Sequence, residues 1–282
     1  MGTIQEGLDT YVHHGSELDL IPDHIREIWD MRIYGDETDI DEGYFELTHF
    51  NGTDKIPICG KNKIILIKGE EGSHKSFVTS CILSSAFTDF TRYTLGFKLD
   101  LDPEECIVQF DTEMDAHEVK GRKMAFNAIT GLDPRSDRHQ VYSILDYTWK
   151  QRAEMITHVV SHSPTPVGVI LIDQLADLMP AYDVNDTAHA GQVLEWLLAW
   201  KRITKAMIIV TMHTNRGGIV TNGILGKNVD HKATASFLVK HDRDSRITEI
   251  IPHKSRKRRI EKLKFMQDDR GLPRLLAFDD IF

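Results

Sequence analysis

The chain has 282 residues, of which 41% are hydrophobic and 27% are charged, so it can bury a core without a disulfide or a structural metal. A mean hydropathy of −0.31 and the absence of an apolar run of roughly 18 residues exclude a membrane-spanning chain and a mainly disordered one. The 34 basic and 43 acidic residues give a net charge of −9, which leaves nucleic-acid binding to local basic patches.

The amino terminus and the cysteines indicate where the protein resides. The first twenty residues carry neither the basic region nor the apolar run of a secretory signal. The three cysteines, Cys59, Cys81 and Cys106, are scattered and odd in number, which fits a reducing compartment and no cysteine metal site. We therefore expect a cytoplasmic protein without a membrane partner.

Residues 1–50 are predicted to form an acidic amino-terminal segment that is too small for a core of its own. Ten acidic residues and two arginines lie between Glu17 and Glu42. A solvated face explains such a run most simply, and an arm that packs on an adjacent subunit is the alternative. Residues 51–282 are predicted to form the main domain.

Short apolar strands alternate with helical stretches along most of this domain. The predicted strands are Lys63–Ile67, Ile107–Phe110, Val169–Ile172 and Met207–Thr211, and the predicted helices are Lys75–Phe87, Glu118–Thr130, Gln151–Ser161 and His189–Arg202. This alternation predicts a parallel sheet covered on both faces. The strands predicted after Lys232 are Phe237–Lys240, Arg246–Ile251 and Leu263–Gln267, joined by tight turns. The fold class is therefore α/β, a mostly parallel sheet with helices on both faces and an antiparallel carboxyl-terminal edge.

A candidate phosphate-binding loop follows the first of these strands. Its residues are Gly69, Glu70, Glu71, Gly72, Ser73, His74, Lys75 and Ser76. A strand, a glycine-bearing turn and a helix that opens with Lys-Ser are the context of a P-loop, in which Lys75 contacts the β- and γ-phosphates and Ser76 binds Mg²⁺. His74 stands where this pattern has its second glycine, so its side chain must find room beside the phosphates. An ordinary strand-to-helix turn is the alternative interpretation.

Polar residues at three further strand ends could complete such a site. Asp173 ends an apolar strand in the manner of a Walker B carboxylate, although buried strands also end in aspartates that only cap a helix. Glu113 follows another strand and is a candidate for polarising the attacking water. Asp111 and Asp115, two residues before and after it, are the reserve candidates for this base. His213 begins the stretch His-Thr-Asn-Arg at a third strand end, where it could sense the γ-phosphate. Ligands of α/β sheets bind outside the carboxyl ends of the strands, so these side chains are expected to meet.

The order of these motifs resembles the RecA/DnaB-type ATPase core, and in particular the RepA-like ATPases of plasmids, phages and mobile elements. The motifs are the P-loop, Asp-Thr-Glu ending at Glu113, Ile-Leu-Ile-Asp-Gln containing Asp173, Met-His-Thr-Asn-Arg containing His213, and Lys-Ser-Arg at residues 254–256. The resemblance covers roughly residues 50–282. It implies a RecA-like P-loop core that binds ATP and Mg²⁺, with Ser76 and Asp173 holding the metal partly through water.

The resemblance also implies roles for individual residues. The catalytic set is Glu113, Lys75, Asp173, His213, Arg256 and Lys254. Lys254 and Arg256 take the position of a lysine and an arginine finger that enter the ATP site of a neighbouring subunit. The stretch from Arg216 to Lys232 takes the position of a loop that lines a central channel and contacts single-stranded nucleic acid, and a mobile surface loop is the alternative. Its candidate nucleic-acid residues are Arg216, Asn222, Lys227 and Lys232.

Three functions remain open from the sequence. The first is an ATP-driven helicase of the RepA-like kind, a homo-oligomer arranged as a hexameric ring on single-stranded DNA. The second is a recombinase or recombination mediator, which coats DNA with the same core. The third is a nucleotide-gated assembly switch without motor activity on DNA.

Overall fold

The computed structural model describes residues 46–51, 54–180, 183, 185–215, 218–256 and 260–276. The strands are β1 Glu46–Asn51, β2 Asp54–Gly60, β3 Ile64–Gly69, β4 Phe97–Leu99, β5 Cys106–Asp111, β6 His139–Ser143, β7 Val167–Asp173, β8 Met207–His213, β9 Ala235–His241, β10 Thr248–Ser255, β11 Leu263–Gln267 and β12 Pro273–Leu275. The helices are α1 Lys75–Ser84, α2 Thr91–Thr94, α3 Ala116–Thr130, α4 Trp149–His162, α5 Thr187–Thr204 and α6 Gly223–Lys232, with a 3₁₀ turn at Leu175–Leu178.

A nine-stranded sheet in the order β12-β11-β10-β9-β3-β8-β7-β5-β6 forms the centre of the described domain. The strands from β9 to β6 in this order run parallel, whereas β10, β11 and β12 pair antiparallel. The predicted α/β class, with its parallel sheet and antiparallel carboxyl-terminal edge, is confirmed. Because β3, β8 and β7 are consecutive parallel strands in this order, their carboxyl ends lie side by side at one end of the sheet.

Alternating side chains of the parallel strands pack into two cores. On β3, Ile65 and Ile67 face a core shared with α1 and α3, whereas Ile64 and Leu66 face a core shared with α4, α5 and α6. Helix α5 contributes Trp200, which is 1% exposed. Strand β3 is buried along its whole length, which explains why it reads as a continuous apolar run instead of an alternating one.

A second, smaller sheet lies against the core that contains α1. Its strand order is β2-β1-β4, with antiparallel pairing throughout, and Leu47, Ile58 and Leu99 bury themselves in that core. Residues 46–50 therefore belong to the folded domain and not to the acidic segment to which the sequence analysis assigned them. The rest of that segment, residues 1–45, lies outside the described residues.

One predicted loop is a helix in the structure. The stretch expected to form a channel loop, residues 216–232, contains α6 from Gly223 onwards. Leu225 and Val229 are buried against the sheet, and their spacing of four residues places them on one helical face. Two glycines and several polar residues had concealed this helix in the sequence. Among the described residues no helix is long and apolar enough to cross a membrane.

Candidate functional site

The loop between β3 and α1 has backbone conformations that restrict which residues can occupy it. A Cβ on Gly69 would collide with the Ser73 side chain and with the Val239 carbonyl oxygen on β9, so this position requires glycine. Gly72 has a φ of 72°, and His74, the residue before α1, has a φ of 71° and a ψ of 26°. The second glycine of the P-loop pattern is thus replaced by a histidine in the left-handed conformation that glycine adopts most easily.

Lys75 is the buried cation of the loop. Its Nζ donates to the carbonyl oxygens of Gly69 at 3.3 Å and Glu70 at 3.0 Å, and to Nδ1 of His213 at 3.1 Å. Burial lowers the pKa of Lys75, while the carboxylates of Asp173 and Glu113 act in the opposite direction. The ammonium group lies at the amino terminus of α1, where the helix dipole also favours a bound anion.

His213, the last residue of β8, connects Lys75 to Glu113. Its Nδ1 accepts from the Lys75 ammonium, so its proton lies on Nε2, which donates to Oε1 of Glu113 at 3.2 Å. This hydrogen bond is the main reason why the pKa of Glu113 lies below its usual value, and burial opposes it. The loop lysine, the candidate base and the candidate sensor predicted from three separate motifs therefore form one hydrogen-bonded chain.

Two buried carboxylates lie side by side at the ends of β5 and β7. Asp173 accepts from the Thr211 hydroxyl at 2.5 Å through Oδ1, and Asp111 accepts from the backbone amides of Glu113 and Met114 through Oδ1. Burial, followed by repulsion from Asp173, raises the pKa of Asp111 to about 6. From the sequence, Asp111 was expected only as a reserve candidate for the base. Thr211 was not assigned to the site, because a threonine in a strand gives no local signal of the neighbour that it will meet.

The same two carboxylates fit a divalent cation. The Oδ2 atoms of Asp111 and Asp173 are buried and accept no hydrogen bond, and Nη1 of Arg122 is 3.5 Å and 3.9 Å from them. Carboxylate oxygens are the ligands that Mg²⁺ takes in nucleotide sites, where it keeps several waters. Arg122 lies on α3 and was also missed from the sequence, because it reaches the site only through the packing of that helix.

A cavity of about 440 Å³ opens beside Ser76 and Arg122. It lies between α1, α3 and the turn that joins β11 to β12, and Tyr93, Arg270 and Pro273 contribute to its walls. The cavity is therefore continuous with the amino terminus of α1.

Lys254 and Arg256, the residues predicted to act on a neighbouring subunit, lie at the opposite end of the sheet, near the first residue of β3. The Arg256 amide donates to Thr234 at 3.2 Å, and the Thr234 amide donates to Ile64, the first residue of β3. Ile64 is five residues, or roughly 17 Å along the strand, from Gly69 in the phosphate loop. Arg256 is exposed, and the Lys254 ammonium contacts the Asp230 and His231 carbonyl oxygens near the end of α6. Neither residue reaches the phosphate loop of its own chain.

The predicted nucleic-acid residues do not form one cluster. Arg216 lies outside the described residues. Asn222 precedes α6, and its amide donates to the His213 carbonyl oxygen at 3.0 Å, so it lies beside the candidate site. Lys227 is exposed near the middle of α6, and Lys232 is exposed at its far end. Asp115, a reserve candidate for the base, instead caps α3 by accepting from the amides of His117 and Glu118.

Comparison with known families agrees with this geometry. A family model described as an AAA domain matches residues 55–218, a range that holds the loop, Glu113, Asp173 and His213 and exceeds half of the chain. No curated protein matches the sequence. The chain therefore belongs to the AAA domain family and is a P-loop ATPase.

Proposed function

We propose that this ATPase is an oligomeric motor that acts on single-stranded DNA, a RepA-like helicase of a plasmid, phage or mobile element. The observation that carries the proposal is the position of His213. Its side chain contacts Lys75 and Glu113, while the chain leads directly from it into the 214–222 segment and α6. A change at the γ-phosphate would therefore reach the segment proposed to contact DNA through a single residue, His213.

Two backbone hydrogen bonds also link the phosphate loop, His213 and the 214–222 segment. The Thr214 amide donates to the Gly69 carbonyl oxygen of the phosphate loop at 3.1 Å, and the Asn222 amide donates to the His213 carbonyl oxygen. Ile219 and Val220, between them, are 50% and 55% exposed. Exposed aliphatic side chains next to polar ones would add base contacts to the phosphate contacts proposed for Arg216 and Lys227.

In the proposed complex, each part of the site has a separate task. Lys75 and the amides before α1 hold the phosphates, and the nucleoside occupies the cavity beside Tyr93 and Arg122. Ser76 and Asp173, with Asp111 beside Asp173, would hold Mg²⁺, which would supply positive charge to neutralise the phosphates. Glu113, kept deprotonated by the His213 hydrogen bond, accepts the proton of the attacking water.

The position of Arg256 supports an oligomer. Arg256 lies at the opposite end of the sheet from the phosphate loop of its own chain, so it cannot act as the arginine finger of that site. In a head-to-tail ring, that end of one subunit would face the phosphate loop of the next, where an arginine stabilises the charge of the transition state.

The ATPase rate with and without single-stranded DNA, measured together with the mass of the assembly, tests this proposal. A helicase is expected to show DNA-stimulated hydrolysis, a ring of defined mass and unwinding of a forked duplex. Stimulation and DNA coating without unwinding would favour a recombinase or mediator. Hydrolysis that changes the assembly but ignores DNA would favour the nucleotide-gated switch and refute the motor.

A further inference from the structure

The histidine that replaces a P-loop glycine is held by two residues far along the chain. Nδ1 of His74 lies 2.9 Å from Oγ1 of Thr248 on β10. Nδ1 of His241, at the end of β9, lies 3.0 Å from the same oxygen. The two imidazole rings are tilted by 35° to each other, with their centroids 3.9 Å apart. We refer to His74, Thr248 and His241 as the loop clasp.

The hydroxyl of Thr248 is suited to join the two rings. A hydroxyl has one donor and two acceptor positions, so Thr248 can donate to Nδ1 of one ring while it accepts an Nδ1–H from the other. Thr248 is 1% exposed, and it pairs with His241 on β9 and with Phe265 on β11. Its position is therefore fixed by the sheet on both sides and does not depend on the loop.

We propose that Thr248 and His241 are positioning residues that hold the His74 side chain against the end of β9 and the start of β10, which keeps the phosphate position free in a loop that lacks its second glycine. The proposal rests on the nucleotide site described above. A histidine at this backbone position has two problems that a glycine does not have: a strained φ of 71° and a ring that must point somewhere. The clasp gives the ring a fixed place and compensates the strain with a hydrogen bond.

The surroundings of the clasp are compatible with this role. His74 lies 6.5 Å from Phe77 on α1 between ring centroids, and Phe77 stacks on Phe265 at 5.6 Å. The ring of His74 thus enters an aromatic layer that already joins α1 to the edge strands.

A double-substitution experiment separates positioning from general stability. Thr248→Val removes the hydroxyl at nearly constant volume and is expected to weaken Mg·ATP binding by about five- to tenfold, as for one lost hydrogen bond. Thr248→Ser keeps the hydroxyl and is the matched control, with affinity within about twofold of the parent protein. In a His74→Gly background no ring needs to be held, so Thr248→Val should then change the affinity by less than about twofold.

Hydrogen exchange of the loop amides without nucleotide gives a readout that does not depend on the proposed function. Thr248→Val is expected to speed the exchange of residues 70–76, and this effect should disappear in the His74→Gly background. Equal exchange in the parent and Thr248→Val proteins, or equal loss of affinity in both backgrounds, would overturn the clasp. If the parent protein failed to bind Mg·ATP, the proposed function would be wrong, and the exchange data would still decide on the clasp.

Discussion

At the residue scale, the proposed reaction depends on His213, which lies at the end of β8 and outside the phosphate loop. His213→Ala should lower kcat by at least tenfold while the affinity for Mg·ATP stays within about threefold, because the substitution removes an orienting group and leaves Lys75 in place. Its hydrogen bond lowers the pKa of Glu113, so its loss raises that pKa. Since Glu113 must be deprotonated to act as a base, the acid limb of the pH–rate profile should move to higher pH.

An exposed histidine provides the control for this prediction. His158 lies on α4 and stacks on His162, and His158→Ala should leave both kcat and the acid limb unchanged. An unaltered acid limb in His213→Ala would separate His213 from Glu113 and would remove the basis for its proposed role.

The site residues differ in how visible they were in the sequence. Four of them follow recognisable strands: Lys75, Asp173, Glu113 and His213. Because parallel strands end on the same side of a sheet, it could be predicted that these four side chains would lie close together. Arg122 could not be found in this way, since it lies on a helix with no motif around it and reaches the two aspartates only through tertiary packing.

At the element scale, one buried ion pair ties the strand before the phosphate loop to α6. Nζ of Lys68 on β3 donates to Oδ2 of Asp230 at 3.0 Å, and the side chains are 1% and 22% exposed. Asp230→Asn leaves a buried ammonium group without its carboxylate and should cost about 3 kcal/mol of unfolding free energy. Lys68→Met leaves the more exposed partner behind and should cost about 1–2 kcal/mol.

The double variant tests whether the pair acts as a unit. Lys68→Met combined with Asp230→Asn should cost less than the sum of the two single changes when unfolding is followed in urea. Additive losses would show that the two residues do not act as a unit. A larger loss for Lys68→Met than for Asp230→Asn would contradict the greater burial of Lys68.

Elements were predictable where burial left a clear pattern. The four strands β3, β5, β7 and β8 read as apolar runs because helices cover both of their faces. Strand β6 was missed because it lies at the sheet edge and four of its five residues are only partly buried. Strands β1 and β2 form a local hairpin, with Asn51 opposite Asp54, that the sequence analysis did not identify. Only the pairing of β4 with β1 is long-range, and such a pairing leaves no local periodicity to detect.

At the scale of the whole molecule, buried neutral histidines make stability depend on pH. Burial, and then the nearby Lys123, lower the pKa of His139 to about 3. Below pH 6.5 the unfolded chain takes up a proton that folded His139 does not, so its contribution is present above pH 6.5 and is lost as pH falls towards 3. Because of this group alone, the free energy of unfolding should fall by about 2 kcal/mol when the pH is lowered from 7 to 5.

Urea unfolding at both pH values checks this dependence. His139→Gln removes the titrating ring, so its loss of stability between pH 7 and pH 5 should be smaller than that of the parent protein, even if it is less stable at pH 7. His158→Gln, which changes an exposed histidine, should keep the full dependence. The same loss in His139→Gln as in the parent protein would show that His139 is not the group responsible.

Assembly is tested by mixing two inactive proteins. Arg256→Ala and Lys75→Ala should each lose nearly all hydrolysis, whereas mixed oligomers should regain part of it, because some interfaces then pair an intact loop with an intact finger. Full activity of Arg256→Ala alone, or no recovery in oligomers verified to be mixed, would refute a shared active site.

The central claim is that Lys75 binds the phosphates and Glu113 activates water in one hydrogen-bonded site. Mg·ATP affinity and phosphate release, measured on the parent protein, Lys75→Ala and Glu113→Gln, test it most directly. Lys75→Ala should lose affinity by at least tenfold, whereas Glu113→Gln should bind within about threefold of the parent and turn over at least a hundredfold more slowly. Hydrolysis by Glu113→Gln at the parental rate, or unchanged binding by Lys75→Ala, would contradict the account.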